Sequence, residues 1–183
     1  MKIAAFIGFQ GTLGGGGLDD VRSLKLFPFA AEAVKLLNRH SILAIGVTNQ
    51  SHISRGEMTR DEYNAGLQDL QNELAHGGAR LDAVYCCPHT DADKCNCRKP
   101  RRGMIDSACR DFDIDLEGSY VIGDMGASDM VLAHNIGAKG ILVLTGVGKG
   151  SLGEFRFLWQ DIEPYFVADD ILAAAERIAF DCS

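Results

Sequence analysis

A chain of 183 residues, 46% hydrophobic and 23% charged, is long enough to enclose a sizeable core, read here as one domain spanning residues 1–183. Its formal net charge of -7 and pI near 5.1 exclude a general affinity for nucleic acid or an anionic membrane, since both demand a positive field. Any phosphate ligand must be gripped by local groups, and the cysteine usage points to a reducing, cytoplasmic setting.

In chain order, the apolar run at residues 3–7 predicts a first strand and is too short for the core of a signal peptide. A helical period follows over 29–39. Further strands are expected at 42–47, 81–86, 120–122, 141–144 and 165–167, and helices at 59–76, 104–112, 128–135 and 170–180. Thr59 with Glu62 reads as a capping box, and Gly77-Gly78 as the stop of the same helix. Strands apolar at nearly every position, separated by amphipathic helices, predict a three-layer α/β fold with a mostly parallel sheet covered on both faces. No run is long enough to span a bilayer.

Between the third strand and the next helix, Cys87-Pro88-His89 and Cys95-Asn96-Cys97 bring three thiols and one imidazole into a short span. These are ligands of tetrahedral Zn²⁺, and four protein ligands leave no position for a reacting water. Cys87, His89, Cys95 and Cys97 therefore predict a structural zinc in a loop at 86–100. That loop delivers Arg98 and Lys99 to the start of the next helix. In such sheets ligands bind beyond the carboxyl ends of the strands. The segments expected there are Gly8-Phe9-Gln10-Gly11-Thr12, Thr48-Asn49-Gln50-Ser51, the Arg98-Lys99 corner, and Gly123-Asp124 with Asp129 beyond. A threonine hydroxyl, an amide, a lysine and two carboxylates suit a phosphate ester and a hard divalent cation.

With these segments in hand, the chain resembles the zinc-containing branch of the haloacid dehalogenase superfamily, which holds heptose bisphosphate phosphatases and histidinol-phosphate phosphatases. The resemblance covers roughly residues 1–148 and rests on Val47 to Ser51 with Arg55-Gly56, on Cys87 to Pro100 with Gly103-Met104, and on Val121-Ile122-Gly123-Asp124. The gap between His89 and Cys95 is similar to the histidinol-phosphate enzymes, whereas Gly103-Met104 is similar to the heptose enzymes. The resemblance implies a Rossmann-like fold without a large cap and a two-step phosphoryl transfer. In that scheme an aspartate after the first strand attacks phosphorus, and a second aspartate two positions on acts as acid and base. It further implies that Thr48 and Asn49 orient the phosphoryl oxygens and that Lys99 neutralises them. Ser51, Arg55 and Arg98 would meet the rest of the substrate, and Mg²⁺ would be held by Asp124, Asp129 and the backbone of Gln10.

Here the two aspartate positions are Gly8 and Gln10. Glycine has no nucleophile, and an amide cannot hand over a proton at neutral pH. Loss of a covalent nucleophile can cost on the order of a million-fold in rate, and Mg²⁺ binding is weakened with the missing carboxylate. The leading expectation is an impaired or inactive relative that binds a small phosphorylated metabolite. A rival is an active hydrolase in which Asp19 or Asp20 swings in from the glycine loop at 14–17, or Asp124 directs water. A third is a protein-interaction module built on the zinc loop.

Other features are read as structural. The stretch 11–17 fits neither dinucleotide nor P-loop spacing, and 148–151 reads as a surface turn. His134 is expected to be packed or solvated, and His52 has a minor claim to ligand contact. Phe155, Phe157 and Trp159 are expected to be core or edge cover.

Overall fold

A computed structural model describes residues 1–16 and 19–183. Six parallel strands form one sheet in the order β3-β2-β1-β4-β5-β6. The strands are β1 Ala4–Ile7, β2 Leu43–Asn49, β3 Ala83–Cys87, β4 Tyr120–Gly123, β5 Lys139–Val143 and β6 Phe166–Ala168. The helices are α1 Ala30–Arg39, α2 Arg60–His76, α3 Gly103–Asp111, α4 Val131–Ile136, α5 Gly148–Leu152 and α6 Ile171–Asp181. No helix among the described residues is long and apolar enough to cross a membrane.

Alternation along each strand feeds two cores. Ala5 and Ile7 of β1 join Ile122, Val143 and the apolar stripes of α1, α2 and α6. Ala4 and Phe6 point the other way and join Ile45, Val47, Val121 and the inner faces of α3 and α4. Burial on both faces is why these strands read as unbroken apolar runs. In α1 the buried set Ala30, Ala33, Val34 and Leu37 follows the helical period. The capping box of α2 is present, with Glu62 N–H donating to Thr59 Oγ1 at 3.1 Å and Thr59 N–H donating to Glu62 Oε2 at 2.7 Å.

Four expectations need correction. β2 runs two residues further than the apolar pattern, because its ladder with β3 continues through Thr48↔Cys86 and Asn49↔Cys87. The helix expected at 128–135 divides into a π-helical turn, Gly126–Met130, and α4; Asp129 turns back to accept the Met125 N–H at 3.1 Å and caps that turn. Residues 148–151 are helix rather than surface turn, and Ser151 is buried. Trp159 is core, but Phe155 and Phe157 are 45% and 66% exposed. The 3₁₀ turn Arg156–Leu158 rolls them outward, while Arg156 stacks over Trp159. Residues 50–59 and the described part of 8–29 form only turns and isolated bridges, so no cap domain is present among the described residues.

Candidate functional site

The carboxyl ends of β1, β2 and β4 and the corner after the cysteine loop enclose a cavity of about 300 Å³. Gly8, Gln10, Thr48, Asn49 and Ser51 line it from β1 and β2, Arg55 from the following turn, Arg98 and Lys99 from the loop, and Asp124 and Asp129 from beyond β4. The strand-end segments singled out in the sequence thus meet in one place.

Lys99 and Asp129 form a buried ion pair in its wall. Nζ lies 2.8 Å from Oδ1, and the two side chains are 8% and 5% exposed. The backbone of Lys99 is clamped by Asn49, whose Oδ1 accepts the Lys99 N–H at 3.1 Å while Nδ2 donates to the Lys99 carbonyl at 3.4 Å. Thr48 Oγ1 accepts from Gln50 Nε2 at 2.9 Å, which leaves its own proton directed toward Gln10 Oε1, 3.4 Å away. On the outer wall, Arg55 donates to Ser51 Oγ at 2.8 Å and pairs with Glu57 at 2.9 Å.

Asp124 is 5% exposed, and its Oδ2 accepts the Val147 N–H at 2.9 Å. Gly11 and Gly146 approach from both sides at φ +75° and +54°, and a Cβ on either would fall 2.0 or 2.2 Å from that oxygen. Only glycine leaves room there. Burial pushes the Asp124 carboxyl up to about 6; the Asp129 charge adds to this, and the Val147 N–H and Lys99 oppose it. Behind it, Ser151 Oγ donates to the Asp124 carbonyl at 2.8 Å and accepts the Gly126 N–H at 3.2 Å, while Trp159 Nε1 donates to the Ser151 carbonyl at 3.0 Å. This support was missed in the sequence, where Ser151 looked like a turn residue.

The predicted metal ligands also converge. Ligand atoms of Cys87, His89, Cys95 and Cys97 all lie within 4.8 Å of one another, with sulfur separations of 3.1 to 3.6 Å. Bonds of about 2.0–2.3 Å around tetrahedral zinc require ligand atoms spaced at about 3.3–3.8 Å, so the donor set could hold that ion. Arg98 is fixed beside it through Nη1 to the His89 carbonyl at 3.1 Å and Nε to Asp91 at 2.9 Å.

Comparison with known proteins adds the family. The chain is 36% identical to the D-glycero-D-manno-heptose-1,7-bisphosphate 7-phosphatase of Thermosynechococcus vestitus, over 96% of this chain and 94% of that one. It belongs to the heptose bisphosphate phosphatase family of the haloacid dehalogenase superfamily. A family model described as HAD-hydrolase-like matches residues 96–174. The crystal structure of D,D-heptose 1,7-bisphosphate phosphatase from B. bronchiseptica, complexed with magnesium and phosphate, superposes with a TM-score of 0.88 at 28% identity and covers 99% of each chain. The histidine biosynthesis bifunctional protein HisB of Blochmanniella floridana is 30% identical over 82% of this chain but only 39% of its own length.

The β1 corner carries no carboxylate at residues 8 and 10. Gly8 brings no side chain, and Gln10 brings an amide. Of the substitute carboxylates weighed from sequence, Asp19 lines the mouth of the cavity and accepts the Gly16 N–H at 2.6 Å. Asp20 instead faces Arg22 at 2.6 Å, whose guanidinium holds its carboxyl below the usual range. Gly17, part of the loop expected to carry them, lies outside the described residues. His52 stands in the cavity wall, 3.8 Å from Glu57, and His134 is solvent-exposed on α4.

Proposed function

We propose that this chain binds the phosphoryl group of a heptose bisphosphate-type sugar phosphate and hydrolyses it poorly or not at all. The observation that carries the reading is the meeting of Thr48, Lys99 and Asp124 in one cavity with Gly8, a position that holds no carboxylate. The heptose class is favoured because the heptose relative matches along nearly its whole length, whereas HisB matches over a minority of its own.

In this reading the Thr48 hydroxyl donates to one phosphoryl oxygen, being weakly engaged by Gln10 at 3.4 Å. Lys99 keeps one proton on Asp129 and has two left for the ligand. Arg98, and Arg55 with Ser51, border the sugar. Cys87, His89, Cys95 and Cys97 would hold a structural zinc, which fixes the loop that carries Arg98 and Lys99. Asp124 and the Gln10 carbonyl would hold Mg²⁺, which when bound neutralises phosphoryl charge; with Asp129 already paired to Lys99, that site offers one free carboxylate and is weak. Gln10 cannot protonate a leaving oxygen, so turnover fails at both chemical steps.

The test compares the parent with Gly8→Asp/Gln10→Asp on heptose bisphosphate and a panel of phosphate esters, with magnesium present and bound metals measured. Activity should rise by orders of magnitude in the double variant. A double variant that is folded yet hydrolyses no ester would falsify the inherited-site reading. The place of Asp19 at the cavity mouth favours one second reading, a slow hydrolase that uses this carboxylate. It requires magnesium-dependent turnover by the parent that Asp19→Asn abolishes.

A further inference from the structure

Gly8 lies buried in the cavity at the end of β1, and its backbone is outside the left-handed region. A Cβ built on it would stand 3.2 Å from Thr12 Oγ1 and 3.7 Å from both Lys99 Nζ and the Ile122 carbonyl. Thr12 is wholly buried, and its hydroxyl has no hydrogen-bond partner among the described residues. A buried hydroxyl left without a partner bears its full desolvation cost, so such groups are rare and call for an explanation. The position of the missing Cβ is thus a narrow space, tight against a hydroxyl that has no partner among the described residues and flanked on another side by an ammonium. A side chain at residue 8 would otherwise occupy it.

We propose that this space is a phosphoryl-oxygen subsite, in which the Thr12 hydroxyl and the Lys99 ammonium together hold one oxygen of a phosphate dianion. The proposal rests on the phosphate-binding reading above and adds two things to it. Thr12 becomes a direct ligand donor, and glycine at position 8 becomes a gain for capture of the unreacted phosphate as well as a loss for chemistry. A carboxylate at this point would meet the dianion at contact distance, where like charges repel strongly. The Lys99 charge is already shared with Asp129 at 2.8 Å, and Asp124 is a further carboxylate on the rim. The corner therefore tolerates a phosphate dianion better when residue 8 is neutral and small.

The experiment titrates inorganic phosphate calorimetrically into the full chain without added magnesium. Gly8→Asp is expected to weaken phosphate binding by about tenfold or more through repulsion, which is the reverse of what restoring a family residue would suggest. Thr12→Val exchanges the hydroxyl for a methyl and is expected to weaken binding about tenfold, in line with a lost hydrogen bond to a charged group. Its melting temperature should hold or rise, since an unpartnered buried hydroxyl has gone. Gly8→Ala guards against a Gly8→Asp variant that misfolds; its methyl fills the same space without charge and should weaken binding several-fold. Phosphate affinity unchanged in both Thr12→Val and Gly8→Ala overturns the subsite and leaves the phosphate-binding reading intact. A Thr12→Val protein that melts early and binds phosphate normally assigns the hydroxyl to the fold and also overturns it. A parent that binds no phosphate at all removes the broader reading together with the subsite.

Discussion

The cavity rim has two sides that differ in kind. On the side built by β2 and the cysteine loop, Asn49 clamps the Lys99 backbone, Lys99 is paired with Asp129, and Arg98 is tied to His89 and Asp91. On the β1 side, Gly8 has no side chain, Gln10 reaches Thr48 only at 3.4 Å, and the Thr12 hydroxyl has no partner among the described residues. The difference teaches that one side of the rim is held together by its own hydrogen bonds while the other is left loosely tied. Mutual hydrogen bonds keep the first side in place whether or not the second does chemistry.

The largest effect should come from cutting the tight side at its centre. Lys99→Met leaves the Asp129 carboxylate, 5% exposed, without its cation. Breaking one half of a buried pair costs about 3–5 kcal/mol, read by denaturant unfolding, and phosphate binding should be lost with it. Adding Asp129→Asn should restore most of the stability and none of the binding. A cost below about 1 kcal/mol for Lys99→Met would mean that this pair is no more demanding than an exposed one, and the contrast between the two sides would collapse.

How much of this could be read from the chain follows the same division. The strands were legible because both faces of the sheet are buried and each strand is an apolar run; the rim residues were legible because each sits just past such a run. Long-range pairings were not. Asn49 clamps a residue fifty positions away, and Ser151 supports Asp124 from twenty-seven away. Nothing local marks either role, since asparagine after a strand and Gly-Lys-Gly-Ser both carry ordinary turn signals. The π-helical turn at Gly126–Met130 was hidden too, because the turn of Asp129 back to Met125 is set by its tertiary surroundings.

A second, smaller effect sharpens the comparison through pH. Burial and the Asp129 charge raise the Asp124 carboxyl from an ordinary 3.8 to about 6. The folded state then binds more protons than the unfolded state between these values, so stability falls as pH rises from about 4 through 6. By neutral pH the ionised carboxylate costs about 3 kcal/mol relative to an unperturbed one. Asp124→Asn removes that charge and should stabilise the protein at pH 7 by about 1–3 kcal/mol. It should also flatten the slope of unfolding free energy against pH over this window. If the variant is less stable at pH 7 and the slope persists, Asp124 is not the strained group on the rim.

The smallest effect concerns the prop behind Asp124. Ser151 Oγ both donates to the Asp124 carbonyl and accepts the Gly126 N–H, and all of this is buried beneath Trp159. Ser151→Ala removes both bonds at little change in volume and leaves a backbone N–H and a carbonyl short of a partner, which costs about 1–2 kcal/mol. Its value lies in where the loss is felt. If Ser151 serves the whole fold, the melting temperature drops and phosphate affinity is untouched. If it holds the Asp124 loop in register with Lys99, the same modest loss of stability comes with weaker phosphate binding. The fluorescence of Trp159, the one tryptophan in the chain, should then change as ligand is titrated. The second outcome would extend the well-tied side of the rim from β2 and the cysteine loop to the far edge of the sheet and leave Gly8 and its neighbours as the one loosely tied part among the described residues.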